Sequence, residues 1–335
     1  MALLKYGAGV PFYRQARLQA LAGVPLPESV QYARCAEVAR IARPVYELMK
    51  REAARAPLLH TDDTGVVILD LVKENRRLAR TARRGRQTSG LVARCGAHQV
   101  ALYASGRRHA GEKAGELLRL RPPSLGPPIQ MADAVACNWS HQFQTIVAKC
   151  LAHARRQFVE IEAAFPHECG RVLDDLGRVY GYEAATRGMS DEERLEYHQR
   201  LSGPVMESLR EWLDTQCAAR QVEPNSSLGR ALSYLRTHWE GLPQFLRTPG
   251  AALDNNAVAR ALKRAVLLRT SSLFYKTVRG ACVGAVLMSL IETCALNGVN
   301  AWAYLVALIR EARAVARDPA RWLPWRFAQE QRSAA

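Results

Sequence analysis

The sequence lacks the cysteine and histidine patterns that hold metals or form disulfide frameworks. Its eight cysteines are scattered, no two of them form a CxxC pair, and the histidines are not paired. We therefore expect neither a zinc site nor a disulfide framework. The cysteines are expected to be reduced and mostly buried.

The chain also lacks an uninterrupted hydrophobic run of membrane-spanning length. Its most apolar stretch, ACVGAVLMSLIETCAL, is interrupted by Glu292 before it reaches the roughly 20 residues that a bilayer requires. No signal-peptide pattern, internal repeat or low-complexity segment is evident. These absences predict a cytoplasmic protein without a membrane partner.

Acidic residues are scarce relative to basic ones. The 335 residues include 47 Lys+Arg against 31 Asp+Glu, which gives a formal net charge of +16. This excess favours a polyanionic partner such as nucleic acid, and the alternative is a basic surface without a specific partner. With 48% hydrophobic residues the chain can bury a sizeable core, and its length suggests about two domains.

Helical and strand patterns share the first half of the chain. Residues 25–56 carry apolar side chains at helical spacing, and Pro44 should kink or split this helix. Gly96 is expected to make the turn of a hairpin, and a short helix is expected at 111–120. Apolar and β-branched runs predict strands at 57–72, 88–94, 98–104, 129–132 and 145–152.

After the fifth strand the pattern is helical. Residues 167–245 contain capped, amphipathic segments, and a break follows at 246–256. VGAVLMSLIETCAL then predicts a buried helix, AWAYLVALIREARAVA predicts an amphipathic one, and the tail RDPARWLPWRF is expected to pack its tryptophans onto the body. The pattern favours an α/β core that is interrupted by a helical subdomain.

Three acids lie in or directly after predicted strands. Asp62 and Asp63 belong to the first strand segment, and Asp133 follows the fourth. If those strands are neighbours, the carboxylates converge, and converging carboxylates suit Mg²⁺ ions that bridge phosphate oxygens. This interpretation predicts a two-metal site for phosphoryl transfer on nucleic acid. The alternative is structural: the first two acids lie in a turn, and Asp133 caps a helix in AVACNWSHQF.

Nine segments in a fixed order resemble the insertion sequence 66 family of bacterial DDE transposases. They are LLHTDDT, SGLVAR, GRRHAGE, PPIQMADA, CLAHARRQF, VEPNSSLG, LDNNAVARALKRA, LFYKT and SLIETCALNG. The resemblance covers nearly the whole chain, from KYGAGVPFYR to WLPW.

The resemblance implies an α/β fold with a ribonuclease H-like catalytic core that cuts and joins DNA ends with two Mg²⁺ ions. It places the first family aspartate at Asp62 and the second at Asp133, both as metal ligands. The implied organisation is an N-terminal helical segment (1–56), the first part of the core (57–166), a helical insertion (167–245), the second part of the core (246–298) and a C-terminal helical tail (299–335).

The third acid that the resemblance implies is missing. The glutamate of the family's DNNxxER motif falls on Ala259, whereas Asp254, Asn255 and Asn256 remain as the cap of the site helix. We therefore expect little or no DNA cleavage by this chain. Glu292 is the next acid along the chain, but its apolar helix favours a structural role over that of a substitute ligand. Family members also look longer at the N-terminus.

Basic residues near the implied site are expected to neutralise DNA phosphates. The linker 73–86 adds seven Lys and Arg against one Glu, and we expect a mobile loop or arm there, with a solvated surface loop as the alternative. The predicted DNA contacts are Arg155, Arg156, Arg260, Lys263, Arg264, Arg269 and Lys276.

The leading hypothesis is a DDE-type transposase whose partners are DNA, both transposon ends and target. Further copies of the chain and accessory proteins encoded by the same element are additional expected partners, and the location is the bacterial nucleoid. One alternative is a non-catalytic DNA-binding or assembly protein derived from such a transposase, which Ala259 favours. Another is a Mg²⁺-dependent nuclease that cleaves DNA without joining it.

Overall fold

The structure is a computed structural model that describes residues 1–79, 81–218 and 222–333. It is a mixed α/β protein, 61% helical, with a five-stranded sheet. The strands are β1 (Leu58–Gly65), β2 (Gln87–Cys95), β3 (His98–Gly106), β4 (Ile129–Ala132) and β5 (Ile146–Lys149).

Fourteen α-helices are assigned within the described ranges. They are α1 (Phe12–Leu21), α2 (Glu28–Ile41), α3 (Arg43–Arg55), α4 (Leu69–Arg77), α5 (Ala110–Leu118), α6 (Leu151–Val159), α7 (Pro166–Ala185), α8 (Asp191–Ala218), α9 (Ser227–His238), α10 (Asn256–Ser272), α11 (Val278–Leu296), α12 (Ala301–Arg310), α13 (Ala312–Arg317) and α14 (Pro324–Ser333). Shorter helical turns lie at Leu3–Gly7, Ala136–Asn138 and Trp239–Leu246.

The chain divides into two compact units. The first contains Met1–Pro128, Ala136–Gln144 and Ala257–Ala335, and the second contains Ile129–Val135 and Thr145–Asn256. The predicted helical insertion, 167–245, lies inside the second unit, and the five-part division of the chain stays a prediction.

Strands β1, β2 and β3 of the first unit form an antiparallel meander. In its register Asp62 lies opposite Gly90, which in turn lies opposite Tyr103. The hairpin between β2 and β3 turns at Gly96, whose φ of +62° is in the left-handed region that glycine adopts without steric cost. The hairpin predicted from the sequence is therefore confirmed.

The predicted first strand, 57–72, is too long. The observed strand β1 ends at Gly65, and the backbone after it pairs with Tyr275 instead of with another strand. Tyr275 N–H donates to the Val67 carbonyl, and Leu69 N–H donates to the Tyr275 carbonyl. Helix α4 then begins at Leu69. Its residues include part of the linker that was expected to be a mobile arm, so that expectation is wrong for 73–77.

Helix α11 is the central helix of the first unit and covers the edge of strand β3. Ser289 Oγ accepts from Tyr103 N–H at 2.9 Å, and Thr293 Oγ1 accepts from Ala101 N–H at 3.0 Å. Asn297 Oδ1 accepts from Gln99 N–H at 3.0 Å. These three residues are spaced four apart and so share one helix face, which pairs with a strand edge that would otherwise need a further strand.

Helix α11 is also the one helix in the described ranges that is long and apolar enough to cross a membrane. Two thirds of its most apolar window (67%) is buried within the protein. The buried helix predicted from the sequence is confirmed, and its apolar composition is explained by its place in the core.

The N-terminal helices and the C-terminal tail both belong to the first unit. Helix α2 ends at Ile41 and α3 begins at Arg43, with Pro44 in its first turn, where a missing N–H costs no helical hydrogen bond. In the tail, the Trp325 ring stacks on His98 with centroids 4.0 Å apart. The predicted split at Pro44 and the predicted packing of the tail tryptophans are both confirmed.

The second unit contains the parallel pair β4 and β5, in which Ala132 lies opposite Lys149. Strand β5 is shorter than the predicted 145–152, because the chain turns at Cys150 and Leu151 N–H donates to the Leu253 carbonyl as α6 begins. Helices α7 and α8 pack together, and the fully buried His198 bonds Glu183 and Ser202 between them.

Candidate active site

Asp62 lies near the end of β1 on the sheet face that α10 covers. Residues directly opposite each other in an antiparallel pair point to the same side of the sheet, so Asp62 shares a face with Gly90 and Tyr103. The Tyr103 hydroxyl donates to the Ala261 carbonyl of α10 at 2.6 Å. The Asp62 side chain is thus directed to the side of the first unit that carries α10.

Gly90 permits the close approach of α10 to the sheet. A Cβ at this position would lie 2.8 Å from Leu262 Cδ2 and 3.1 Å from Val258 Cγ2. A side chain at this position would force Leu262 or the helix itself to shift. Ala259 is half-buried and directly follows Val258 on the helix. Position 259, where the resemblance places the family glutamate, therefore belongs to the part of α10 that packs against the sheet face of Asp62 and Gly90.

Asp63, the next residue, has a structural role on the opposite face. Its carboxylate accepts from Ser89 Oγ at 2.6 Å and from Ala110 N–H at 3.0 Å, and it lies 2.9 Å from His109 Nδ1. It thereby caps the N-terminus of α5, where a negative charge is favourable. The two adjacent acids are separated by the alternation of the strand, and Asp63 is committed to holding α5 on the sheet.

The carboxylate of Asp62 is held in a defined orientation. Its Oδ1 accepts from Asp63 N–H at 2.8 Å, and the Asn138 side-chain amide lies 3.4 Å from the same atom. The Asp62 side chain is half-buried. Carboxylate oxygens are ligands that suit a hard divalent cation such as Mg²⁺, so this residue fits the ligand role implied by the resemblance. Ala259 offers no ligand atom.

Asp133 lies in the second unit, one residue beyond β4. It is half-buried, and its Oδ1 accepts from Val135 N–H at 3.1 Å. The segment that follows is not the helix of the structural alternative, since only Ala136–Asn138 forms a single short turn. Asp62 belongs to the first unit, and the expected convergence of the two carboxylates stays a prediction.

The cap of α10 forms as the sequence suggests. The helix begins at Asn256, whose N–H donates to Asp254 Oδ1 at 3.0 Å, while its side-chain amide donates to Asp254 Oδ2 at 2.6 Å. Asn255 is buried, and its N–H donates to Cys150 Sγ at 3.2 Å. These three residues fix the start of the helix.

Arg264 is engaged inside the first unit. Its guanidinium donates to Glu292 Oε2 at 2.7 Å and to the Gly7 carbonyl at 2.8 Å. Both side chains of the pair are mostly buried, with 18% and 13% exposed. We therefore assign both to the structure, which corrects the DNA contact expected of Arg264 and gives Glu292 a role other than that of a substitute ligand.

The other predicted DNA contacts differ in their surroundings. Arg269 donates to Thr64 Oγ1 and to the Gly65 carbonyl, so it ties α10 to the end of β1. Arg156 forms an exposed ion pair with Glu160 on its own helix, a pair that solvent screens. The remaining residues are exposed: Arg155, Arg260, Lys263 and Lys276.

The basic linker before β2 folds back on neighbouring elements. Arg83 forms an ion pair with Glu112 of α5, and Arg107 forms one with Glu74 of α4 at 2.7 Å. The Arg107 guanidinium also donates to the Asn75 side chain. These contacts anchor both ends of the described part of the linker.

Two side-chain groups were missed by sequence reasoning. Asp63, His109 and Cys137 bring oxygen, nitrogen and sulfur ligand atoms within 4.8 Å of one another, but the Asp63 carboxylate is already hydrogen-bonded as the cap of α5. The motif GRRHAGE, which contains His109, was the available signal. The second group is Lys149 with His238 in the second unit, whose side chains meet at 3.0 Å; no motif marks it.

Comparison with known proteins gives a consistent result. The chain matches the model of the family described as "Transposase IS66 family" over residues 1–282. It is similar to uncharacterized protein y4hP of Sinorhizobium fredii (strain NBRC 101917 / NGR234), with 27% identity over 326 residues, 91% of this chain and 57% of that protein.

A second relative from the same organism, uncharacterized protein y4jD, is 33% identical over 190 residues, 55% of this chain and 37% of that protein. The chain thus spans from about a third to just over half the length of these relatives. No solved structure matches this chain.

Proposed function

We propose that this chain, which belongs to the IS66 family of transposases, is built to cleave and join DNA ends and has lost most of that activity. In this proposal Asp62 and Asp133 are the metal-binding carboxylates of a ribonuclease H-like core. The observation that supports it is the placement of Asp62 on the α10 face of the first unit, beside a helix whose family glutamate is replaced by Ala259.

The residues present support a weakened metal site. Carboxylate oxygens suit Mg²⁺, and when bound the ions would stabilise the charge that develops on the phosphate during displacement. Asp62 is oriented by the Asp63 N–H and the Asn138 amide. Without an oxygen ligand at position 259, we expect the second ion to bind loosely and the transition state to lose part of its stabilisation.

A second candidate function follows from the same residue. A transposase-derived protein without the third acid retains its charged surfaces and its fold. It can bind DNA, or associate with other copies of itself, without catalysing a reaction. Ala259 favours this non-catalytic function for this chain. DNA is the expected partner in both candidate functions.

Restoring the acid tests the proposal. Ala259→Glu should be tolerated, because glutamate is a good helix former and the position is half-buried. We expect Mg²⁺-dependent cleavage of end-containing DNA to rise by about a hundredfold over the native chain, the scale of a single electrostatic contact in an active site. The measurement is cleavage of pre-nicked or branched ends at high protein concentration.

Matched variants separate the effect of the negative charge at position 259 from the effect of side-chain volume. Ala259→Gln has nearly the same volume as the glutamate variant without its charge and should leave cleavage at the native level. Asp133→Ala in the Ala259→Glu background should abolish the gain. Strong cleavage by the native chain that survives Asp62→Ala and Asp133→Ala would place the chemistry elsewhere.

A further inference from the structure

Lys149 is the last residue of β5 in the second unit. Its partner in the parallel register is Ala132, and Asp133 directly follows that residue. The carboxyl ends of parallel strands are the edge at which α/β sheets bind their ligands. Lys149 thus occupies the position next to the predicted metal ligand of this unit.

The ammonium group of Lys149 lacks an acidic partner within the described residues. Its Nζ lies 3.0 Å from His238 Nδ1, and no carboxylate of the described chain forms an ion pair with it. Lys50 and Lys113, by comparison, pair with Glu47 and Glu116. Burial lowers the pKa of the Lys149 ammonium. A half-buried cation without a counter-charge is unfavourable unless an anion completes its surroundings.

His238 extends the same site. Burial, and then the neighbouring Lys149, lowers the pKa of its imidazole, as expected where two cationic groups face each other. The Tyr234 ring packs edge-on against His238 with centroids 4.5 Å apart. Burial and then the charge of Asp133 raise the pKa of Tyr234 to about 12.

Gly241 holds the Lys149 side chain in place. A Cβ at this glycine would lie 2.8 Å from Cγ and 3.0 Å from Cδ of Lys149. These atoms belong to the inner part of the side chain, so a substitution at 241 must shift the lysine. The glycine in the helical turn Trp239–Leu246 therefore leaves the room that the Lys149 side chain occupies beside His238.

We propose that Lys149 and His238 bind a phosphate group of a DNA strand next to Asp133, as positioning residues for the strand. The identification of the anion as a DNA phosphodiester rests on the proposed function; the anion site itself rests on a lysine without an acidic partner among the described residues, the adjacent histidine and the room that Gly241 leaves for the lysine. An inorganic phosphate ion has the same chemistry, and the experiments distinguish the two.

The first experiment measures DNA affinity against salt concentration. Each phosphate contact contributes about 0.9 to the slope of log affinity against log salt for duplex DNA. Lys149→Met should lower the slope by about this amount, and Lys149→Arg should retain it. Gly241→Ala should lower it equally while leaving the net charge unchanged. Lys113→Met is the matched control, since that lysine is paired with Glu116, and its slope should equal that of the native chain.

The second experiment labels lysine amines with an N-hydroxysuccinimide ester and reads each site by mass spectrometry. Duplex DNA should protect Lys149 severalfold and leave Lys113 unchanged. Protection by inorganic phosphate but not by DNA would overturn the assignment to a DNA strand. Unchanged slopes in Lys149→Met and Gly241→Ala, together with no protection by either probe, would overturn the site.

The proposed function fails separately from this inference. If Ala259→Glu gains no cleavage while Lys149 still contributes to the salt slope, the chain binds DNA at this site without the proposed chemistry. Circular dichroism melting of each variant checks that a lost contact is not lost folding.

Discussion

At the scale of single residues, neighbouring side chains of the same charge have separate roles. Asp62 and Asp63 are adjacent, yet strand alternation directs one to the α10 face and the other to the α5 cap. Arg264 and Lys263 are likewise adjacent on α10, and the first is buried against Glu292 whereas the second is exposed. The charge of the side chain alone does not separate the members of either pair.

The Arg264 and Glu292 pair should stabilise the fold. Glu292→Gln would leave a mostly buried guanidinium without its counter-charge, and we expect the free energy of unfolding to fall by about 3 kcal/mol. Urea denaturation monitored by circular dichroism measures this. Glu37→Gln breaks the exposed pair with Arg34 and should cost less than about 1 kcal/mol. Equal effects from the two variants would contradict the structural assignment of Glu292.

At the scale of elements, two close approaches organise the first unit. Gly90 admits α10 to the sheet because the absent side chain leaves room for Val258 and Leu262. Ser289 and Thr293 of α11, with Asn297 directly after the helix, bond the backbone of β3 and satisfy its edge. The two helices therefore contact the sheet at specific residues. The contact at Gly90 places position 259 of α10 on the sheet face that also carries Asp62.

The edge contact of α11 can be tested at Thr293. Thr293→Val keeps the volume but removes the hydroxyl that accepts from Ala101 N–H and donates to the Ala101 carbonyl. We expect a loss of about 2 kcal/mol in the free energy of unfolding, because a buried backbone N–H is left without a partner.

Thr270→Val is the control for this change, since its hydroxyl is exposed on α10. It should change stability by less than about 0.5 kcal/mol. If Thr293→Val is as mild as the control in urea denaturation, the bond to β3 contributes little to the fold.

At the scale of the whole molecule, the 47 Lys and Arg residues are not equally available to a partner. Some are held in ion pairs, as for Arg83 with Glu112 and Arg107 with Glu74. Arg260 and Lys263 of α10 are exposed and form no ion pair with another described residue, so they are the stronger candidates for DNA contacts, and they lie on the helix that carries Ala259.

DNA affinity should therefore depend on these two residues. Replacing Arg260 and Lys263 with glutamine should lower the log-log salt slope by about 1.8, two phosphate contacts at about 0.9 each. Fluorescence anisotropy with labelled duplex DNA measures it. The double variant Arg34→Gln with Arg43→Gln removes the same charge from residues that pair with Glu37 and Glu47, and should leave the slope nearly unchanged. Absence of native binding at low salt would contradict a DNA partner.

The sequence by itself determined the features that depend on short stretches of chain. The Gly96 hairpin, the helix break at Pro44, the buried character of α11 and the start of α10 at Asn256 follow from local conformational preference and periodicity, which a few neighbouring residues specify. The identity of the family and the alanine at position 259, where the resemblance places a glutamate, are also properties of the sequence.

Tertiary structure alone decided the features in which distant residues meet. Val67 and Leu69 bond to Tyr275, which ends β1 early; Arg264 pairs with Glu292 rather than facing a partner; and Lys149 meets His238 beside Gly241. Each of these contacts joins separate elements, and its strength depends on burial and distance, which local sequence does not encode. A basic or acidic residue becomes available for binding, or committed to the fold, only when packing has fixed its neighbours.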